Sequence, residues 1–363
     1  MLVTPKNNSG VGSLTQFNLT ENVKLITKEN VLAIYCDNTL KTVSSAIFNG
    51  GHNQVKAVLN VGVPKGYNDR ALHLDPLKLI TSSAAKLGLS KDYLAMVTAA
   101  KIENYSLVSK KAVDFSVNVV ATAGCQHGES SGEEMDVQEI TGTINIIVLI
   151  DGNPSMSCMV AALITATEAK SAVLRDFDIR SRYTGDSATG SITDSVTVAS
   201  TCKGKTLTLA GPASKLGKLV GYCARHAVTQ GLLKQEPFWA TRTVLDRLEE
   251  RHLQLETIAN EVSKIEGLMV NAEDLAAILS KNPASTAYLL AAMKMDDDYK
   301  KNLLPADYSD WCDVTKCFGI YSIYEDCSKF PNYDSVDLPP FLKYMLINFL
   351  KKNQSERHLK RLK

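Results

Sequence analysis

Residues 142–199 read GTINIIVLIDGNPSMSCMVAALITATEAKSAVLRDFDIRSRYTGDSATGSITDSVTVA. Apolar, β-branched runs at the two ends predict strands. Between them Met159, Ala162, Leu163, Ala166, Ala169 and Val173 recur at helical spacing, so a helix with a packed face of small residues joins the strands. Polar residues gather at the element ends: Thr143 and Asn145, then Thr165, Glu168 and Lys170, then the turn from Thr189 through Gly190 and Thr193 to Asp194. A layered scaffold that carries a site on its rim has this distribution. A carboxamide within a buried strand must find hydrogen-bond partners, so Asn145 is either tied to backbone or turned toward a site. Glu168 and Lys170 lie about 160° apart on an ideal helix and do not form a local pair, so one of them points away from the site.

Upstream, VKLIT (23–27) and VLAIYC (31–36) predict a hairpin, followed by SSAIFNGGH (44–52). In that loop Asn49, Gly50 and Gly51 can take positive φ and bring backbone close to a ligand, with His52 directly after them; a plain turn with a surface histidine is the other reading. Asp75, Pro76 and Gly88 bracket a helix as N-cap, first helical residue and stop. YLAMVTAA (93–100) and VDFSVNVVATAG (113–124) alternate as strands, and AGCQHGESSGEEM after the second is a polar loop, either a mobile rim or a solvated connection. Downstream, KTLTLA is a short strand. SKLGKLVGYCARHAVTQGLL, from Ser214, is a helix whose start, with Gly211, Ser214 and Lys215, suits an anion. Pro237 marks a boundary. Beyond it Leu245, Leu248, His252, Leu255, Ala259 and Val262 predict one amphipathic helix over residues 243–266, Asn271 caps AEDLAAILS, and Pro340 opens PFLKYMLINFLKK.

The chain has 363 residues, 45% of them apolar and 22% charged, enough for a large core. Its 40 basic and 39 acidic residues leave a formal charge of +1, which supplies no global field for nucleic acid or an acidic membrane. MLVTPKNNSGVGSLTQ lacks the basic and apolar regions of a signal peptide, and no run of about 18 apolar residues occurs, so a cytoplasmic protein without membrane or nucleic-acid partners is expected. The eight cysteines form no Cys-x-x-Cys pair; the tightest group, Cys312, Cys317 and Cys327, has no diagnostic metal spacing.

Five stretches in order, SSAIFNGG (44–51), VATAG (120–124), GTINIIVLID (142–151), ATEAKSAVL (166–174) and ATGSITD (188–194), resemble the adenosylcobinamide amidohydrolases of corrinoid salvage, and AGPASKLGKLVG (210–221) fits that family's last helix. The likeness runs over roughly residues 23–233. Two places depart from the family: Cys125, Gln126, His127 and Gly128 stand where an Asn-containing continuation is expected, and ATGSITD stands where ATGTGTD is common.

The resemblance implies hydrolysis of the aminopropanol amide of adenosylcobinamide, with the corrinoid as substrate and no cofactor or metal required. Asp194 or Glu168 would activate water or the Thr193 hydroxyl, with Asn145, Thr143 or turn N–H groups on the oxyanion. Asn49, Gly50, Gly51, His52, Thr143, Lys170, Thr189, Gly190 and Lys215 would bind substrate. A non-catalytic corrinoid-binding or interaction protein, and an amidase for another substrate, stay open beside it. The expected fold is α+β: a layered sandwich of mostly antiparallel strands and helices over residues 1–236, with a helical extension over 237–363 available for a homo-oligomer or partner contact.

Overall fold

The computed structural model describes residues 14–64, 75–126, 128–134, 142–280, 283–304 and 333–361, with backbone alone at 284 and 355–361. Cys312, Cys317, Cys327 and His127 lie outside the described residues. Two compact units meet at Thr241 and Arg242.

The first unit is α+β. Strands β1 (Thr15–Thr20), β2 (Val23–Lys28), β3 (Val31–Ser44) and β4 (Gly51–Gly62) precede helix α1 (Pro76–Lys86) and β5 (Tyr93–Thr98). Strands β6 (Ser106–Lys111), β7 (Ser116–Gly124), β8 (Thr143–Asp151) and β9 (Asn153–Pro154) precede helix α2 (Met156–Asp176). Then come β10 (Ser195–Ser200), β11 (Thr206–Leu207) and helix α3 (Lys215–Gln235).

One plan occurs twice. β2, β3 and β4 form an antiparallel meander, α1 crosses over, and β5 pairs parallel to β4. β6, β7 and β8 form the second meander, α2 crosses over, and β10 pairs parallel to β8. Each parallel pair needs a crossover of this kind because a hairpin turn can only join antiparallel neighbours. β10 then pairs antiparallel with the second half of β3 and joins the halves into one curled, mostly antiparallel sheet.

Both faces of that sheet are buried, so its strands read as continuous apolar runs. Ile144, Ile146, Val148 and Ile150 of β8 face α2 and α3, while Ile147 and Leu149 turn inward to Leu32, Ile34, Leu94 and Met96. Val31, Ala33, Ala57 and Leu59 form the opposite outer face, covered by Ile80 and Ala84 of α1. Asp75 caps α1 through the Lys78 amide at 3.1 Å, and Gly88 follows its end with φ +73°. By length and composition α2 could cross a membrane, but in this unit its Met159, Ala162, Ala166 and Val173 pack on the sheet. The short strand expected at KTLTLA shrinks to Thr206–Leu207 beside β9.

α3 starts on a close backbone approach. A Cβ on Gly217 would stand 1.9 Å from the Gly211 carbonyl oxygen, whereas one on Gly221 would meet only the Thr165 methyl at 3.6 Å. Gly217→Ala is therefore expected to destabilise the unit by about 1–3 kcal/mol through overpacking. Gly221→Ala should be neutral or stabilise it by up to about 1 kcal/mol through helix propensity. Urea denaturation of the two variants checks both signs.

The second unit is helical: α4 (Val244–Glu249), α5 (Leu255–Val262), α6 (Ala272–Ser280), α7 (Pro283–Lys300) and α8 (Pro340–Arg361). The single helix expected over residues 243–266 is two helices. His252 takes φ +62°, and the Leu253 amide bonds back to the Leu248 carbonyl at 3.0 Å, a left-handed stop of the kind glycine usually supplies. His252 is exposed there instead of lying on the apolar stripe, while Val244, Leu248, Ile258, Ala259 and Val262 still share one core. Asn271 caps α6 through the Asp274 amide at 2.8 Å.

Asp296 of α7 accepts the Phe341 and Leu342 amides at the start of α8, at 2.8 and 2.9 Å. Burial nonetheless pushes its carboxyl up to about 7. A folded-state value above the unfolded one contributes stability that is complete below about pH 4 and is lost as the pH rises through about 7. The stability of wild type relative to Asp296→Asn should accordingly fall between pH 4 and pH 8, as measured by chemical denaturation across that range.

Candidate active site

At the edge where β8 and β10 begin, α2 delivers Lys170 to Asp194, and the two side chains are only 8% and 11% exposed. Lys170 donates to Asp194 Oδ2, and Ser191 N donates to the same oxygen at 3.0 Å. The Ile144 amide and the Ser191 hydroxyl donate to Oδ1 at 2.9 and 2.5 Å. One carboxylate thus binds the start of β8, the turn before β10 and the middle of α2. Its four acceptor positions are all used. Gly190 is glycine because a Cβ there would stand 2.6 Å from Asp194 Oδ2 and 2.8 Å from Lys170 Nζ.

A cavity of about 410 Å³ opens beside the pair, lined by Thr167, Lys170, Ser171, Tyr183, Ser191 and Asp194 together with Thr189, Gly190 and a wall running from Glu129 to Glu133. That wall is pinned at several points. Glu129 N bonds to the Gly190 carbonyl at 2.9 Å and Gly190 N returns a bond at 3.2 Å. The Ser131 amide donates to the Thr189 hydroxyl at 3.0 Å, and the Ser171 hydroxyl donates to the Thr189 carbonyl at 2.8 Å. Glu129 pairs with Arg182, and Glu133 accepts the Ser181 hydroxyl at 2.6 Å.

Behind the wall, Glu236 at the end of α3 accepts the Cys125 and Gln126 amides at 3.0 and 3.1 Å and the Trp239 indole at 2.7 Å. Burial pushes the Cys125 thiol well above its ordinary value, reinforced by Asp194 and Glu236. A thiol so placed stays protonated at neutral pH and is no thiolate nucleophile.

The structure brings together four of the residues singled out from sequence: Lys170, Thr189, Gly190 and Asp194. Thr193 lies on the rim, its hydroxyl 2.8 Å from that of Thr143 and 3.2 Å from the Gly142 carbonyl; neither threonine lines the cavity. Asn145 faces the inside of the sheet, where its Nδ2 donates to Asn60 Oδ1 at 2.8 Å and to the Val97 carbonyl at 2.9 Å. Glu168 is exposed on α2 and outside the cavity lining, so of the two polar residues on that helix Lys170 is the one at the site.

The loop with Asn49, Gly50, Gly51 and His52 starts beside Val196, two residues after Asp194, because Ser45 N bonds to the Val196 carbonyl at 3.1 Å and Val196 N to the Ser45 hydroxyl at 3.0 Å. Asn49 (φ +51°) and Gly51 (φ +78°) make its turn, and Asn49 Nδ2 donates to the Tyr93 carbonyl at 2.9 Å. None of its residues lines the cavity. Lys215 is exposed at the start of α3, whereas the end of α3 reaches Cys125 and Gln126, the chain that leads to the cavity wall, through Glu236. Twenty-one residues of helix separate the two by roughly 30 Å.

Sequence reasoning singled out none of Glu129, Ser131, Glu133, Tyr183 and Ser191: the first three sit in a loop that reads as either a rim or a solvated connection, the last two in a Gly/Ser/Thr-rich turn region. The concentration of hydroxyl and carboxylate groups in both segments was the available signal. Among the described residues no three His, Cys, Asp or Glu side chains gather as metal ligands.

A curled mixed sheet clad in helices, with a buried lysine–aspartate pair beside a hydroxyl-lined cavity, defines an α+β protein with a polar candidate site. Within that class the chain belongs to the adenosylcobinamide amidohydrolase (CbiZ) family, whose model matches residues 16–238. It is 26% identical over 233 residues to "Uncharacterized protein MJ1613" of Methanocaldococcus jannaschii, covering 58% of this chain and 89% of the relative. It is 28% identical over 213 residues to the adenosylcobinamide amidohydrolase of Methanosarcina mazei, covering 57% and 92%. Among solved structures, the PH0078 protein from Pyrococcus horikoshii OT3 aligns with TM-score 0.33 at 10% identity, covering 59% of this chain and 78% of that one. The helical second unit lies outside the family match.

Lys170→Met leaves a buried carboxylate without its cation, a change that costs about 3–5 kcal/mol. Glu168→Met on the exposed face should cost under about 0.5 kcal/mol. The urea midpoints of the two variants, at unchanged m value, measure the contrast.

Proposed function

We propose that this chain hydrolyses the amide that joins a propionate side chain of the corrin ring to aminopropanol, converting adenosylcobinamide to adenosylcobyric acid for return to cobalamin synthesis. The observation that carries the reading is the Lys170–Asp194 pair at the mouth of a polar cavity, inside the segment matched by the family. Amide hydrolysis needs a proton acceptor for the attacking oxygen, positive charge where the oxyanion develops and a proton for the departing nitrogen. Asp194 supplies the first. The Lys170 ammonium supplies the second and is a proton source for the third.

Size supports the same reading. A cavity of about 410 Å³ has room for a side-chain arm of the corrin. The ring would rest on the rim, where the loop beginning at Ser45 presents Ile47, 61% exposed, as an apolar surface. Its polar groups are already tied down, so the rim needs little ordering to receive a ligand.

Incubating the full chain with adenosylcobinamide and following aminopropanol by mass spectrometry tests the reaction; absence of release counts against it. Asp194→Asn should lower turnover by about 10²- to 10⁴-fold. Glu168→Gln should stay near wild type; a loss in Glu168→Gln with Asp194→Asn left near wild type would return the base assignment to Glu168.

A further inference from the structure

The cavity holds several hydroxyls, and their partners separate them. The Thr167 hydroxyl donates to the Leu163 carbonyl at 3.0 Å and the Ser171 hydroxyl to the Thr189 carbonyl at 2.8 Å, both as backbone fasteners. The Thr189 hydroxyl is held by the Ser131 amide and faces the Ser131 hydroxyl at 3.0 Å. Ser191 differs. Its Oγ donates to Asp194 Oδ1 at 2.5 Å, and its own amide is fixed on the other oxygen of the same carboxylate, which also holds Lys170. A hydroxyl aimed at a carboxylate on the wall of a cavity, with an ammonium on the far side of that carboxylate, has the arrangement of an activated nucleophile: attacking oxygen, base, and a cation that orients the base.

From this we infer that Ser191 is the nucleophile of the amide cleavage and that the reaction passes through an ester on its Oγ. The inference rests on the reading of the site as an amidohydrolase centre. As Oγ bonds to the amide carbon, its proton passes to Asp194. The C–N bond then breaks; the nitrogen leaves with a proton from Lys170, and Lys170 recovers one from Asp194. Water attacks the ester and gives a proton to Asp194. That proton returns to Oγ as the C–O bond breaks, which leaves a carboxylic acid, an amine and the enzyme in its starting state. Thr193, on the rim with its hydroxyl on Thr143 and the Gly142 carbonyl, has no such base.

A direct-water mechanism would use Ser191 only to fasten Asp194, so the test must see the covalent bond. The full chain is treated with a fluorophosphonate probe, in which an Oγ–P bond forms as the P–F bond breaks, and is separately acid-quenched during turnover of adenosylcobinamide. Peptide mass spectrometry then reads both samples. The expected result is label and acyl adduct on Ser191 in wild type and label lost in Asp194→Asn. Turnover in Ser191→Ala should fall by on the order of 10³-fold or more, with Ser191→Thr restoring at least about a tenth of it.

Turnover in Ser191→Ala within about tenfold of wild type overturns the inference, as does absence of both label and adduct from Ser191 in an active wild type. If Ser191→Ala does not fold, label and adduct in the wild type decide. A wild type that labels on Ser191 yet releases no aminopropanol supports the nucleophile and refutes the substrate; one that neither labels nor turns over refutes both.

Discussion

The Asp194 carboxylate is the point on which the edge of the first unit that carries the candidate site depends. It gathers two backbone amides, a hydroxyl and an ammonium from three separate elements, and it does so almost out of contact with water. Taking a carboxylate and an ammonium out of water costs several kcal/mol each, and mutual attraction offsets this only when the remaining hydrogen-bonding positions are also filled. On the carboxylate they are filled by the Ile144 amide of β8 and by the amide and hydroxyl of Ser191 in the turn before β10. The glycine at 190 follows from the same constraint, since no side chain fits between the carboxylate and the lysine.

Much of the local structure was legible in the sequence because local chemistry set it. The strand–helix–strand pattern of residues 142–199, the Asp75 cap, the Asn49–Gly51 turn and the Asn271 cap are all decided within a few residues of chain. Lys170 could be placed only in part: helix geometry showed that it and Glu168 diverge, but which of them faces the site depends on the sheet beneath α2.

Asn145 and Lys215 show what sequence cannot supply. The inward turn of Asn145 is set by the curl that brings Asn60 and Val97 across to it. The distance of Lys215 from the site follows from the direction in which α3 runs. At His252 the chain stops a helix in a left-handed conformation without the glycine that would have announced it, which is why residues 243–266 read as one element.

The joining of the two like halves has a further consequence. Their seam is a short ladder in which Ser44, Val43, Thr42 and Lys41 face Thr197, Val198, Ala199 and Ser200, reinforced by the 2.6 Å contact between the Ser44 and Thr197 hydroxyls. Side chains alternate along a strand, so a slip of one residue at this seam would exchange inside for outside along β10. It would also pull Asp194 away from the helix that brings its lysine. The arrangement of charges at the site is thus a readout of strand register, and the hydroxyl pair at Ser44 and Thr197 acts as the index mark that keeps the two halves in phase.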